Sequence, residues 1–151
     1  MKLAEALILR ANAQKRMEQL KQRILRNAKV QEGDTPGEDP VELLQEYEST
    51  ASELTDLMQR INRTNSKTPF QDSSLSDALA KRDVLRMRIS LYQDLAQAAS
   101  ITGSRYSRSE VKFSSAVSVV RIQKEADILA KEHRELDARI QEANWQVELS
   151  D

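Results

Sequence analysis

The chain has 151 residues, 39% hydrophobic and 31% charged, with a net charge of −1 and no cysteine. A chain of this size buries a core as a single domain over 1–151, and near-neutral charge argues against general attraction to nucleic acid or anionic membrane. Without cysteine there is no disulfide, zinc–thiolate site or cysteine nucleophile.

The first apolar run, Leu3 to Leu9, is interrupted by Glu5 and followed by Arg10, which is too short and too charged for a signal peptide or membrane span. A cytoplasmic location is therefore expected. Every glycine and proline falls in a connection: Gly33, Pro36, Gly37 and Pro40, then Pro69, then Gly103. Between them lie four helical segments, expected at residues 2–30, 40–64, 75–101 and 119–146. The first carries a stripe of Leu3, Leu7, Met17, Leu20, Ile24 and Ala28, interrupted by Arg10, Gln14 and Asn27. The second opens on Asp39 as cap, Pro40 at the first helical position and Glu42. Its expected seam is Leu44, Tyr47, Ala51, Leu54, Met58 and Ile61. Asn65 to Ser73 reads as a polar loop. The third helix begins near Ser74 and buries Leu75, Leu79, Leu85, Ile89, Tyr92 and Ala96, with Arg82 in the stripe. Between the third and fourth helices, the alternation Val111-Lys112-Phe113 suits a short extended strand or hairpin. The fourth helix, capped by Ser118, is the most regular. Ile122, Ala126, Leu129, His133, Leu136, Ile140 and Ala143 recur in steps of four and three, a narrow seam of coiled-coil type.

Charge alternates from segment to segment: residues 1–30 carry +6, 31–58 carry −9, 59–90 carry +4 and 118–151 carry −3. Neighbouring opposites are what an up-down arrangement needs. The expected fold is all-α, an antiparallel up-down four-helix bundle with long helices.

Such a topology gathers the start of the first helix, the end of the second, the start of the third and the end of the fourth. These ends supply Arg10, then Arg60, Asn62, Arg63 and Asn65, then Asp77, Arg82 and Asp83, and finally Asp137, Arg139, Asn144 and Trp145. Guanidinium forks and an aromatic wall suit an anionic small molecule or nucleotide. The same residues better suit a polar network that sets helix register or a self-association surface. A charge at a seam position must be paired or reach water, and polar seam residues in bundles more often set specificity than bind ligands. The Arg105, Tyr106, Arg108, Val111 and Phe113 loop offers aromatic and basic groups for subunit contacts.

Catalytic signatures are missing: there is no Gly-rich phosphate loop, nucleophile elbow or zinc helix motif. His133 is the lone histidine and no Glu-x-x-His occurs, so a carboxylate di-metal centre is not expected, nor any cofactor. The narrow seams, the charge alternation and the loop hydrophobes Tyr106, Val111 and Phe113 point to a non-enzymatic protein that self-associates as a homo-oligomer, without nucleic acid or membrane partners. Binding of an anionic small molecule at the Arg/Asn-rich end is the alternative.

Several runs look familiar. They are Met1 to Leu7 with Arg10, Arg26 to Gly33, Arg60-Ile61-Asn62-Arg63-Thr64-Asn65, Asp77 to Leu85, Arg105 to Lys112, and Leu136 to Trp145. Together, over essentially the full chain, they resemble a family of small bacterial helical proteins that often carry the name septicolysin. The resemblance implies a bacterial, all-helical protein, and the family's name implies a membrane-active cytolysin. It implies no active-site residues.

Overall fold

A computed structural model describes residues 1–101 and 111–151. Four long helices carry the fold: α1 (Leu3–Arg26), α2 (Pro40–Lys67), α3 (Leu75–Ala99) and α4 (Val119–Gln146). One small antiparallel hairpin, β1 (Pro69–Phe70) with β2 (Ser73–Ser74), joins α2 to α3. The all-α, four-helix expectation holds. The chain forms two compact units, Met1–Ser76 with Gln141–Asp151, and Asp77–Ile140.

In the first unit α1 and α2 pack together. They run antiparallel, as the ion pairs Arg16–Glu46 and Arg23–Glu38 require. Helix α1 stops at Arg26, four residues short of expectation, because Asn27 turns back on it. The Asn27 amide Nδ2 donates to Arg23 O at 2.8 Å, and its Oδ1 accepts the Glu38 N–H at 3.1 Å. Gly33 supplies the left-handed residue of the connection, with φ of 90°. Asp39 then caps α2 by accepting the Val41 N–H at 2.9 Å.

The buried stripe of α2 is not the expected one. Leu43 and Thr50 are buried, whereas Leu44 and Met58 are 47% and 41% exposed. The inward positions are Leu43, Tyr47, Thr50, Leu54, Leu57, Ile61 and Thr64. Threonine takes seam positions here because its hydroxyl is satisfied by its own helix. Thr50 Oγ1 donates to Glu46 O at 2.9 Å and Thr64 Oγ1 to Arg60 O at 2.8 Å. Tyr47, Leu54 and Ile61 are inward as expected, while Leu43, Thr50 and Leu57 replace Leu44, Ala51 and Met58.

Helix α2 also runs three residues past expectation, until the Thr68 N–H and Oγ1 both return to Thr64 O at 2.9 and 2.7 Å. The hairpin follows, pairing Pro69 with Ser74 and Phe70 with Ser73. Its two-residue turn places Gln71 at φ 53°. The Leu75 N–H closes the hairpin onto Thr68 O at 2.9 Å. A strand was expected instead at Val111-Lys112-Phe113. Those three residues belong to no strand, and the adjacent 102–110 lie outside the described residues.

In the second unit, the segments of α3 and α4 run antiparallel. Arg82 meets Asp137 and Arg86 meets His133, both pairs in one register. Ala78, Leu85 and Ala96 of α3 are buried, as are Ala126, Leu129, Leu136 and Ile140 of α4. The α4 residues lie on the expected four-three seam. Each fully buried leucine or isoleucine contributes about 1.5–3 kcal/mol. Ser118 begins α4: its carbonyl accepts the Ile122 N–H at 3.0 Å and its hydroxyl the Arg121 N–H at 3.4 Å.

Candidate functional site

The Arg/Asn-rich end is built in the first unit around the last five residues of the chain. Helix α1 opens with the Lys2 N–H donating to the Glu5 carboxylate at 2.7 Å. That leaves the first residues extended, and they pair with the segment after α4. The Leu3 N–H donates to Val147 O and the Leu149 N–H to Met1 O, both at 2.9 Å. This is an antiparallel bridge centred on Lys2 and Glu148. Lys2 Nζ reaches Gln146 O at 3.1 Å and also pairs with Glu148, which in turn meets the Met1 amine at 3.2 Å. Hydrogen bonding from Lys2, then from the Met1 amine, holds the Glu148 carboxyl below its ordinary pKa.

The end of α2 completes the arrangement. Arg60 Nε donates to Ser150 O at 3.0 Å and Arg63 Nε to Asp151 O at 3.2 Å. Between them, buried Thr64 Oγ1 accepts the Ser150 N–H at 2.9 Å. One face of α2 therefore grips successive main-chain groups of residues 150 and 151. These contacts hold residues 150 and 151 to α2, and two of the expected anion-binding arginines make them.

The other expected residues divide between the units. Arg10, Asn62, Asn65, Asn144 and Trp145 belong to the first. There Asn144 is buried, Arg10 and Asn65 half-buried, Asn62 exposed and Trp145 56% exposed. Asp77, Arg82, Asp83, Asp137 and Arg139 belong to the second. There Arg82 donates to Asp137 Oδ1 at 2.8 Å, with the arginine side chain 18% exposed. Arg82 Nε is buried without a hydrogen-bond partner. Asp83 and Arg139 are exposed. Of the expected interface loop, Arg105, Tyr106 and Arg108 lie outside the described residues. Val111 and Phe113 are 65% and 80% exposed.

His133 is half-buried, and Arg86 Nε donates to its Nε2 at 3.2 Å. The pair borders a recess of about 310 Å³ together with Ile89, Ser90, Gln93 and Arg134. Among the described residues no group of three or more His, Cys, Asp or Glu is placed to hold a metal ion. Among them, too, no helix is long and apolar enough to cross a membrane.

Sequence reasoning missed the bridge between chain ends and the grip of Thr64 on Ser150. Residues 147–151 have no periodicity to announce them. The one available signal was Thr64 itself, three positions beyond Ile61 on the α2 seam.

The chain is 48% identical to a functionally unknown conserved protein from Corynebacterium diphtheriae, known from a crystal structure. The likeness covers 99% of both chains with a TM-score of 0.94. No curated protein matches. These likenesses correct the septicolysin resemblance: no septicolysin relative accompanies the match, and the family that fits the sequence is a different one. The cytolysin activity implied by that resemblance falls with it. Residues 10–149 match the family described as "Family of unknown function (DUF6847)", and the chain belongs to that family.

Proposed function

We propose that the protein is a non-enzymatic helical protein that works by self-association. The observation that carries this reading is on α3, where Val84, Met87 and Leu91 are 53%, 70% and 63% exposed and follow one another at helical spacing. Scattered exposed apolar residues need no explanation, but a continuous row on one face marks an interaction surface. The ionic groups support the same reading. The described groups with displaced pKa values are Arg23, raised by hydrogen bonding to Glu38, with Glu38 and Glu148, both lowered. All three sit in surface ion pairs, where charge fixes helix pairing and chain ends. Catalytic sites instead gather such groups in a cleft.

The alternative, an anion site at the Arg/Asn-rich end, needs guanidinium forks that face a ligand. Arg60 and Arg63 direct Nε to the carbonyls of Ser150 and Asp151. Native mass spectrometry separates the two readings. Self-association gives species at multiples of 17.2 kDa whose share grows with concentration. A monomer at every concentration overturns it, and a reproducible extra mass on that monomer favours the anion site.

A further inference from the structure

The outer face of α3 has an order of its own. Ala80, Val84, Met87 and Leu91 follow in steps of four, three and four, and Ala98 comes seven residues after Leu91. All five are exposed. They lie on the opposite side of the helix from Ala78, Leu85 and Ala96, which are buried. Helix α3 is thus apolar along two faces, and in this chain the second is left to solvent. Between this face and the buried one, a groove of about 330 Å³ is lined by Ala80, Lys81, Val84, Leu85 and Arg88.

The spacing is that of a heptad seam, with Val84 and Leu91 at a positions and Ala80 and Met87 at d positions. Asp83 then falls at g and Arg88 at e, five residues later. In a parallel two-stranded seam, a g residue meets the e residue five positions on in the other helix. We propose that a second copy of this chain occupies the α3 face, with the two α3 helices parallel and in register. Each copy then sets its Asp83 against Arg88 of the other, twice by symmetry. The antiparallel arrangement that matches the same apolar layers instead sets Lys81 against Arg88 of the second copy, a repulsion also repeated by symmetry. Charge chooses the parallel form.

One residue limits the seam. Asp94 occupies the d position after Leu91 and faces its own counterpart in the parallel form. The apolar contact therefore runs from Ala80 to Leu91, about three turns, and ends at a like-charge pair. So short a seam implies a weak dimer, with a dissociation constant on the order of micromolar. This inference names the partner face for the self-association proposed above and rests on it.

The chain has no cysteine, so one introduced thiol reports the register cleanly. In a parallel, in-register dimer Met87→Cys meets itself. Under a copper–phenanthroline oxidant it should convert to a disulfide-linked dimer far faster than Glu53→Cys, an exposed α2 control. Equal rates overturn the surface. Cross-linking that needs a mixture of Val84→Cys and Met87→Cys chains overturns the parallel orientation. Asp94→Leu removes the like-charge pair and should tighten the dimer at least tenfold by sedimentation. An unchanged constant overturns the register. Unmodified chain that dimerises, while Met87→Cys does not cross-link, leaves self-association standing and removes α3 as its surface. Unmodified chain that stays monomeric removes both.

Discussion

The two units use the same interior rule and differ on their outsides. In the first, α1 and α2 meet along buried positions spaced four and three. In the second, the buried positions of α3 and α4 have the same spacing, with Arg82–Asp137 and Arg86–His133 joining the two helices. What surrounds those interiors is different. The first unit spends its polar groups on itself. Arg16 and Arg23 cross to Glu46 and Glu38, and Arg60, Arg63 and Thr64 hold the last residues of the chain. The second unit keeps the internal pair Arg82–Asp137 but leaves an apolar row outward on α3. On the proposed reading, stability and interaction use different surfaces. Both units expose large apolar side chains, such as Leu25 and Val41 on the first, but on α3 of the second Val84, Met87 and Leu91 follow one another in a row on one face.

The largest test asks whether the interiors are as alike as they look. Ile61 is fully buried and Leu85 is 2% exposed. Truncating either to alanine should cost about 2–5 kcal/mol by urea denaturation. A Leu85→Ala cost under ~1 kcal/mol would mean that the α3 seam is loosely packed, and the comparison would fail at its base.

Next comes the seam arginine of the second unit. Asp137→Ala leaves a mostly buried guanidinium without its Asp137 contact, and should cost about 1–2 kcal/mol. Arg82→Met with Asp137→Leu should recover most of that loss, because the seam position then holds a hydrocarbon. If the double variant is no better than Asp137→Ala, the pair has a role beyond register. Thr64→Val is a smaller change of nearly the same shape, and should cost about 1 kcal/mol by removing the acceptor of the Ser150 N–H. Equal amide exchange at Ser150 in the two proteins would remove Thr64 as the anchor. Smaller still, Met87→Ser at a concentration too low for association should change stability by less than ~0.5 kcal/mol, since the side chain is 70% exposed.

These cases also explain what could be read before any coordinates. The α4 seam was legible because its buried residues are almost all apolar, and Ile122 through Ala143 keep strict spacing. On α2 Tyr47, Leu54 and Ile61 face inward as expected, but alternate positions fall one residue earlier, at Leu43, Thr50 and Leu57. Adjacent apolar residues offer two choices at 43–44 and 57–58, and Thr50 is polar in composition yet buried. Helix α3 shows the converse difficulty. Two apolar faces share one helix, and spacing does not say which is inside. The hairpin at Pro69–Ser74 was hidden in a stretch that reads as polar loop. Of the polar end, Arg60 and Arg63 could be named from the sequence, while their acceptors on residues 150 and 151 follow from chain course and leave no pattern.

The smallest effect concerns the bridge between the chain ends. Lys2 holds the Glu148 carboxyl below its ordinary pKa, and Arg23 does the same for Glu38. A carboxylate lowered in the folded state adds stability that is complete above its unfolded pKa and is lost as pH falls through the folded one. The bridge should therefore loosen on the acid side of the ordinary carboxylate range and stay constant at neutral pH. Amide exchange of Leu3 and Leu149, whose N–H groups make the bridge, follows this directly. Protection of both should drop in that acid window. In Glu148→Gln the step assigned to Glu148 should vanish, leaving lower protection at neutral pH. An identical acid profile in both proteins would show that the two main-chain bonds hold the ends without help from charge. The closure of that end would then rest on those two bonds together with the contacts of Thr64, Arg60 and Arg63.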